Sequence, residues 1–525
     1  MLSAEGISKE LTMKTRIASI ILFAALSSAN AQHAHWVYLT DKGSAAEVAV
    51  ALDRLHETYD SRAIDRRLLR RTDPGLFDER DLPVRSRYID AIRATGATIR
   101  IESKWLNAVS VIATPEQLAA IRGLPQTARI SPVRAGARRN ESTETPIESP
   151  VYHDRGFYGI AEAQNAQMNL IGMHTLGFTG DGVIIGVLDT GFYRDHVAFH
   201  TPGHELNVIA ERDFINNDLN TSIEATDNSE QHRHGTWILS TIGAYAPDTY
   251  VGAAYDASFV LCKTEDVTSE TPIEEDYYVA GLEFAEAHGA DMTTSSLGYI
   301  DWYTQADLDG VTAVTTIGVN VANANGVHCV TAAGNEGHDA DPLTSTIIAP
   351  ADAPRVITCG AVDINGNIAG FSSSGPTADG RIKPEILACG VNTQVISSRT
   401  VDTYGQVSGT SLSTPLVAAA VACLIEAHPG WTVDQMRRAI TLTASDWAAS
   451  GTTDPLNIRG YGIINALAAL NGVCPADVNA DGGVDGDDVI VFFARWDANQ
   501  ADFDGSGGTD GDDVIAFFAR WDAGC

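Results

Sequence analysis

The run Val183-Ile184-Ile185-Gly186-Val187-Leu188-Asp189-Thr190-Gly191 decides how the chain is read. An unbroken apolar stretch gives a strand with no polar face, and such a strand is stable only when covered on both sides. Strands of that kind belong to parallel sheets, whose sites form beyond the carboxyl ends of the strands. Asp189 sits at that end. Moving outward, Ala257 to Leu261, Met292 to Ser296, Val327 to Ala332 and Arg355 to Ala361 have the same character. Between and after them, Tyr277 to His288, Gln305 to Asn325 and Ser411 to His428 read as helices. Residues 158–472 are therefore expected to be α/β, a parallel sheet with helices on both faces.

Upstream lies a smaller alternating unit. Trp36 to Thr40 reads as a strand, Ala45 to His56 as a helix, Tyr88 to Ala94 as a helix, and Ala97 to Ile101 and Ala108 to Ala113 as strands. Thr114-Pro115-Glu116-Gln117 opens another helix, with Thr114 as its N-cap and Pro115 in the first turn. Arg129 to Val133 closes with a strand, so 32–140 is expected to be a small α+β, ferredoxin-like domain. A basic stretch carrying Arg66, Arg67, Arg70 and Arg71 interrupts it and reads as an irregular insertion. Residues 134–152 turn polar and read as an exposed, cleavable stretch, with 141–157 taken as the processing linker. At the start, Lys14 and Arg16, an apolar stretch from Ile17 to Leu26, and Ala29-Asn30-Ala31 form the pattern of a signal peptide over 1–31. Met13 begins that pattern better than Met1 does.

Composition narrows the function. At 525 residues the chain exceeds one ordinary core. Residues 32–140 hold 18 Lys+Arg and 13 Asp+Glu, a net of +5, whereas 141–525 hold 14 and 53, a net of -39. So acidic a body repels phosphate and excludes nucleic acid as a partner. No later run of about 18 apolar residues is read, so no transmembrane helix is expected. Of seven cysteines, Cys262, Cys329, Cys359, Cys389 and Cys423 lie mostly in apolar runs and read as buried free thiols. Cys474 and Cys525 bracket the last segment of a chain expected to be exported, where a disulfide is chemically open to them. It would close a loop of about 50 residues, worth about 4 kcal/mol if unstrained.

Three segments carry chemistry when taken together. They are Val187-Leu188-Asp189-Thr190-Gly191, His232-Arg233-His234-Gly235-Thr236, and Gly409-Thr410-Ser411-Leu412-Ser413-Thr414-Pro415. Alone, each has a plain alternative: an aspartate capping the next element, a satisfied histidine, a serine N-cap. In this order and with these neighbours they resemble the subtilisin-like (subtilase) serine proteases over 158–472. Thr331-Ala332-Ala333-Gly334-Asn335, Ser295-Ser296-Leu297-Gly298 and Phe371-Ser372-Ser373-Ser374-Gly375-Pro376 extend the match. The resemblance implies Ser411 as nucleophile, His234 as general base, Asp189 as the group orienting the imidazole, and Asn335 as oxyanion donor. It implies that Ser295, Ser296, Leu297 and Gly298 pair an extended peptide by strand addition, with Ala333 and Gly334 allowing close approach. It departs from the family's pattern at Leu412, Trp237 and Ala388-Cys389-Gly390, none of which is a catalytic side chain. The front unit resembles the family's inhibitor-type propeptide, which implies a folding assistant and temporary inhibitor removed within 134–152. The chemistry itself calls for no cofactor.

The last fifty residues are duplicated at a 25-residue offset, with Val489 to Trp496 returning as Val514 to Trp521. Before each copy lies a loop with the spacing of a calcium site. Asp477, Asn479, Asp481, Asp485 and Asp488 stand at positions 1, 3, 5, 9 and 12, with Gly483 at the backbone-carbonyl position. Asp502, Asp504, Ser506, Asp510 and Asp513, with Gly508, repeat the set. Oxygen-only donors point to two Ca²⁺ ions. Each loop is followed by one apolar helix and ends on Asp rather than Glu, so 474–525 resembles a dockerin of the kind ending in Gly-Cys. That resemblance implies a cohesin-like or cell-surface anchor as partner. The sequence thus reads as an exported, tethered endopeptidase made as a zymogen, acting on proteins or peptides and held by its own propeptide. The rival is a non-catalytic binding or adhesion protein on the same scaffold. A glutamate-based sedolisin relative fails on the His-Gly-Thr context of His234.

Overall fold

The computed structural model describes residues 33–133, 145–146, 156–267, 274–300, 302–471, 476–478, 484–497, 501, 503 and 509–523. The signal segment 1–31, most of the linker 141–157, Cys474, Cys525, and the ligands Asn479, Asp481, Gly483, Asp502, Asp504, Ser506 and Gly508 lie outside the described residues. The chain forms two compact units, one of residues 1–57 with 77–135 and the other of 58–76 with 136–525.

In the first unit, β1 (His33–Leu39) leads to α1 (Ala45–Arg54). The next helix, α2 (Ser61–Arg70), belongs to the second unit. The first unit resumes with α3 (Ser86–Arg93), β2 (Thr98–Ser103), β3 (Ala108–Ala113), α4 (Pro115–Arg122) and β4 (Thr127–Pro132). The sheet order β2-β3-β1-β4, with β1 antiparallel to both neighbours, is the ferredoxin-like arrangement read from the sequence. Thr114 caps α4 as expected, accepting from Gln117 N while the Gln117 side chain accepts from Thr114 N at 2.8 Å. Val37, Val109, Val111, Ile92 and Ile121 fill the core.

The second unit is built on seven strands: β5 (Ile184–Asp189), β6 (Asn207–Asp213), β7 (Ser258–Lys263), β8 (Met292–Ser295), β9 (His328–Ala332), β10 (Ile357–Val362) and β11 (Ile386–Cys389). They pair in the order β11-β10-β9-β8-β5-β7-β6, parallel throughout. The helices that matter for the site are α5 (Arg233–Gly243), α6 (Glu274–Ala287), α7 (Val314–Ala324) and α8 (Thr410–Ala427). β5 is wholly buried, as its unbroken apolar run demands. The five cysteines expected to be free and buried are so, and burial pushes the Cys329 thiol up to about 12.

Three expectations are corrected. The segment around Arg66 to Arg70 is a regular helix rather than an irregular insertion, because its arginines, not its leucines, face the body. The helix read over Gln305 to Asn325 is confined to Val314–Ala324, preceded by a single 3₁₀ turn at Gln305–Asp307. Asp309 ends the earlier turn by accepting from the N–H groups of Val311 and Thr312, and Gly310 follows at φ +87°. Finally, α8 is long and apolar enough to cross a membrane, contrary to the expectation that no such run exists. Thr410 through Ile425 are all buried, so it is a core helix by placement.

Beyond residue 476 the two apolar helices read from the duplication are present, α9 (Gly486–Asp497) and α10 (Gly511–Ala523). Phe492 and Phe517 stack with centroids 4.2 Å apart over a core shared with Ala476, Val478 and Ala501.

Candidate active site

Parallel pairing brings the candidate residues together. Leu188 on β5 stands opposite Ser295 on β8, which in turn stands opposite Thr331 on β9. Asp189, Ser296 and the Ala333-Gly334-Asn335 segment therefore leave adjacent strands at the same edge of the sheet. That is the edge where an open α/β sheet offers its crevice.

Asp189 is fully buried, and its Oδ1 accepts from Thr190 N at 2.7 Å. His234, in the first turn of α5, places Nδ1 2.8 Å from Asp189 Oδ1 and 3.0 Å from Oδ2. A carboxylate at that distance fixes the tautomer with the proton on Nδ1 and leaves Nε2 as the basic face. The close approach depends on Gly235. A Cβ there would lie 2.3 Å from Gly191 O and 3.1 Å from Asp189 Cβ. Its N–H also donates to Thr190 Oγ1 at 3.2 Å.

The sequence His232-Arg233-His234 offers two imidazoles, and the fold separates them. His232 Nε2 lies 2.9 Å from Ser398 O, which makes that nitrogen a donor. Burial holds the His232 imidazole below its ordinary pKa. It is a neutral structural group, and only His234 meets a carboxylate.

Ser411 lies in the first turn of α8 and is nearly buried. Pro415 has no N–H to give the carbonyl four residues earlier. That carbonyl is Ser411 O, and Ser296 Oγ donates to it instead at 2.8 Å. The Ser411 hydroxyl donates to Ser296 O at 3.3 Å, so in this resting rotamer it is turned to β8's end rather than to His234. Asn335 is exposed, with its side-chain oxygen held by Thr410 N at 2.9 Å and Thr410 Oγ1 at 3.0 Å. Its amide nitrogen is the end left to donate. Gly334 takes φ +116°, and a Cβ on it would lie 2.8 Å from Ser373 Oγ.

The segments expected to meet substrate divide. Gly298 is exposed, but Ser295 points into the body, within hydrogen-bond distance of the Tyr278 hydroxyl at 2.9 Å, and Ser296, Leu297, Ala333 and Gly334 are buried. Sequence reasoning missed Thr410 and Thr190, the hydroxyls that hold Asn335 and the start of α5. Their only signal was position, each beside a candidate catalytic residue.

A model of the subtilase family matches residues 180–462. The chain belongs to the subtilase family. Subtilisin E of Bacillus subtilis (strain 168) is 29% identical over 72% of this chain and 85% of its own length. The subtilisin of Bacillus pumilus is 31% identical over 59% of this chain and 98% of its own. Fervidolysin from Fervidobacterium pennivorans, a solved structure, superposes with a TM-score of 0.56 at 22% identity, covering 84% of this chain and 61% of that one. This subtilase carries a propeptide domain, since residues 34–146 match the Bacteroidota peptidase S8 propeptide model.

Among the described residues, one acidic cluster has metal-like convergence: Asp213, Asp218 and Glu224, whose oxygens lie within 4.8 Å of one another. One cation and one amide already engage it. Lys263 Nζ lies 2.7 Å from Asp213 and 2.8 Å from Asp227, and Asn216 donates to Asp213, Glu224 and Asp227. In the tail, Asp477, Asp485, Asp488, Asp510 and Asp513 are described. Asp488 and Asp513 are buried, accepting from Asp485 N at 3.0 Å and Asp510 N at 2.8 Å.

Proposed function

We propose that this subtilase is a secreted serine endopeptidase, made as a zymogen and tethered through its tail, with Asp189, His234 and Ser411 as its triad. The observation that carries the reading is the Asp189–His234 pair, 2.8 Å apart and buried at the sheet edge that also receives Ser411. A serine hydroxyl is a weak nucleophile at neutral pH and needs an adjacent base. Rotation about the Ser411 Cα–Cβ bond exchanges the Ser296 carbonyl for His234 Nε2 as acceptor. On attack, the Oγ proton passes to Nε2 and a bond forms from Oγ to the scissile carbonyl carbon. The resulting imidazolium is stabilised by the buried carboxylate. The oxyanion is met by the Asn335 amide and the Ser411 backbone N–H. Collapse breaks the C–N bond, and His234 returns its proton to the leaving amine. Water, deprotonated by the same imidazole, then releases the acyl group.

The front domain is read as the inhibitor and folding assistant of its own body, released by cutting within 134–152. The tail is read as a dockerin-like calcium domain. What supports that reading is the paired α9 and α10, with Ile490 and Ile515 exposed at equivalent positions as a two-fold apolar surface for a cohesin-like or cell-surface anchor. The deciding experiment treats mature protein with a serine-directed phosphonate and sequences the peptides released from an unfolded protein substrate. One adduct on Ser411, absent in Ser411→Ala together with the cuts, is the expected result. Mature protein that neither takes the label nor cuts is the non-catalytic scaffold of the rival reading.

A further inference from the structure

Helix α2 is amphipathic in the inverse sense. Arg66, Arg67 and Arg70 are each 2% exposed, while Leu68 and Leu69 are 70% and 55% exposed. Burying a guanidinium is costly unless its donors are met by charge and carbonyls. The body supplies both. Arg66 donates to Ala290 O at 2.6 Å, Asn325 O at 3.3 Å and Glu286 Oε1. Arg67 donates to the same Glu286 oxygen at 2.9 Å, and Tyr59 gives its hydroxyl to Glu286 Oε2 at 2.5 Å. Arg70 is met less fully: it pairs with Asp291, whose other oxygen accepts from Arg62 at 3.1 Å, while its Nε and Nη1 have no hydrogen-bond acceptor among the described residues.

The slot lies where α6 and α7 end, so the carbonyls taken up are those left over beyond the last turns. A helix C-terminus carries partial negative charge, which adds to Glu286 and Asp291. The shape is fitted too. The turns that end these helices carry Gly289 and Gly326, and a Cβ on them would lie 2.6 Å from Arg62 Cβ and 2.7 Å from Arg70 Cβ. Thr72 N donates to Ala324 O at 3.0 Å and closes the contact.

By sequence, α2 lies inside the propeptide match at 34–146, yet it packs as part of the unit that holds the sheet. We infer that residues 59–72 are a docking strap and that the ends of α6 and α7 form its receptor, a surface built for an arginine-rich helix. The strap holds the propeptide to the body independently of any contact at the active site. This rests on reading 34–146 as a removable propeptide. Its consequence is that the strap sets how fast the propeptide leaves once the linker is cut. Release requires the strap to leave its slot or to be cut at its borders.

The test is arranged to need no catalysis. A full-length Ser411→Ala chain carries a recognition sequence for a site-specific protease at 141–144, is folded, and is cut there by that protease. Gel filtration should show the N-terminal fragment still with the body, and amide hydrogens of 64–71 should exchange as slowly after the cut as before. In the Arg66→Met/Arg67→Met chain, and separately in Glu286→Gln, the fragment should leave roughly 10²-fold faster, the effect of unpairing a buried charge on a dissociation rate. Near-UV circular dichroism checks that each variant body is folded, and the exchange measurement on the unsubstituted strap decides the matter if a variant is not. The inference is overturned if the unsubstituted fragment leaves as fast as the variants' fragments, or if 64–71 exchange freely once the linker is cut. A chain without peptidase activity sinks the proposed reaction and leaves this result standing.

Discussion

Thr410 shows how much a non-reacting side chain carries at this site. Its N–H and its hydroxyl both fix the oxygen of the Asn335 amide, at 2.9 and 3.0 Å, and the hydroxyl also reaches Gly334 O at 3.2 Å. Thr410 is a positioning residue, since Asn335 is the group proposed to meet the oxyanion. Asn335→Ala should lower kcat roughly 10²–10³-fold, a figure that comes from subtilisin, a relative of this chain. Thr410→Val keeps the volume and the N–H but loses the hydroxyl, so kcat should fall roughly tenfold while KM stays within about twofold. Steady-state kinetics on one peptide substrate separates the two effects. An unchanged kcat in Thr410→Val beside a crippled Asn335→Ala would show that the amide needs no help from the hydroxyl.

At the scale of elements, the site depends on how closely α5 can be laid against the end of β5. Gly235 sets that distance, because any Cβ there would meet Gly191 O at 2.3 Å. Gly235→Ala should push α5 outward and lengthen the Asp189–His234 contact, costing at least about 10²-fold in kcat, the scale of a misplacement near 1 Å. Near-UV circular dichroism should stay native. Wild-type turnover in that variant would mean the two elements have slack that the packing does not suggest. Such close packing also marks what could be read in advance. Interior strands β5, β7, β9 and β10 were legible because buried strands are rich in apolar residues, whereas β8 is wholly buried with Met292 as its one apolar residue. The edge strand β6 was missed because its polar residues Asn207, Glu211, Arg212 and Asp213 leave no apolar run long enough to mark a strand. Helix α2 was illegible for a deeper reason: its buried face is arginine, and hydrophobic periodicity carries no sign of a helix whose partners are carboxylates and carbonyls 220 residues away. In the candidate site, Asp189, His234, Ser411 and Asn335 were all readable as motif residues. The Ser296 bond to the Ser411 carbonyl was not, since it exists only because Pro415 lies one turn downstream and β8 ends beside it.

For the whole molecule, the question is whether the tail shares its stability with the catalytic body. Phe492, Phe517, Val478, Ala476 and Ala501 close a small core of their own, apart from the one built on α8. So small a core is marginal alone and needs a staple. On the calcium reading proposed above, the duplicated carboxylates are that staple. Each loop's candidate ligand set carries four carboxylates, which repel one another without a cation; with Ca²⁺ bound, metal affinity would become folding free energy. Asp488 and Asp513 already point back to backbone N–H groups at the starts of α9 and α10, which ties each loop to its helix. Chelating calcium should therefore abolish the near-UV signal of Trp496 and Trp521 and open 474–525 to an added protease. Turnover of a small peptide by the body should change by less than about twofold, because removing the metal unfolds only what the metal staples. Truncation after residue 471 should give the same kinetic result. If the tail keeps its spectrum and its resistance in chelator, the loops hold no structural calcium. If activity falls in step with the tail's spectrum, the two cores fold as one, and the tail is part of the enzyme's scaffold rather than a tether.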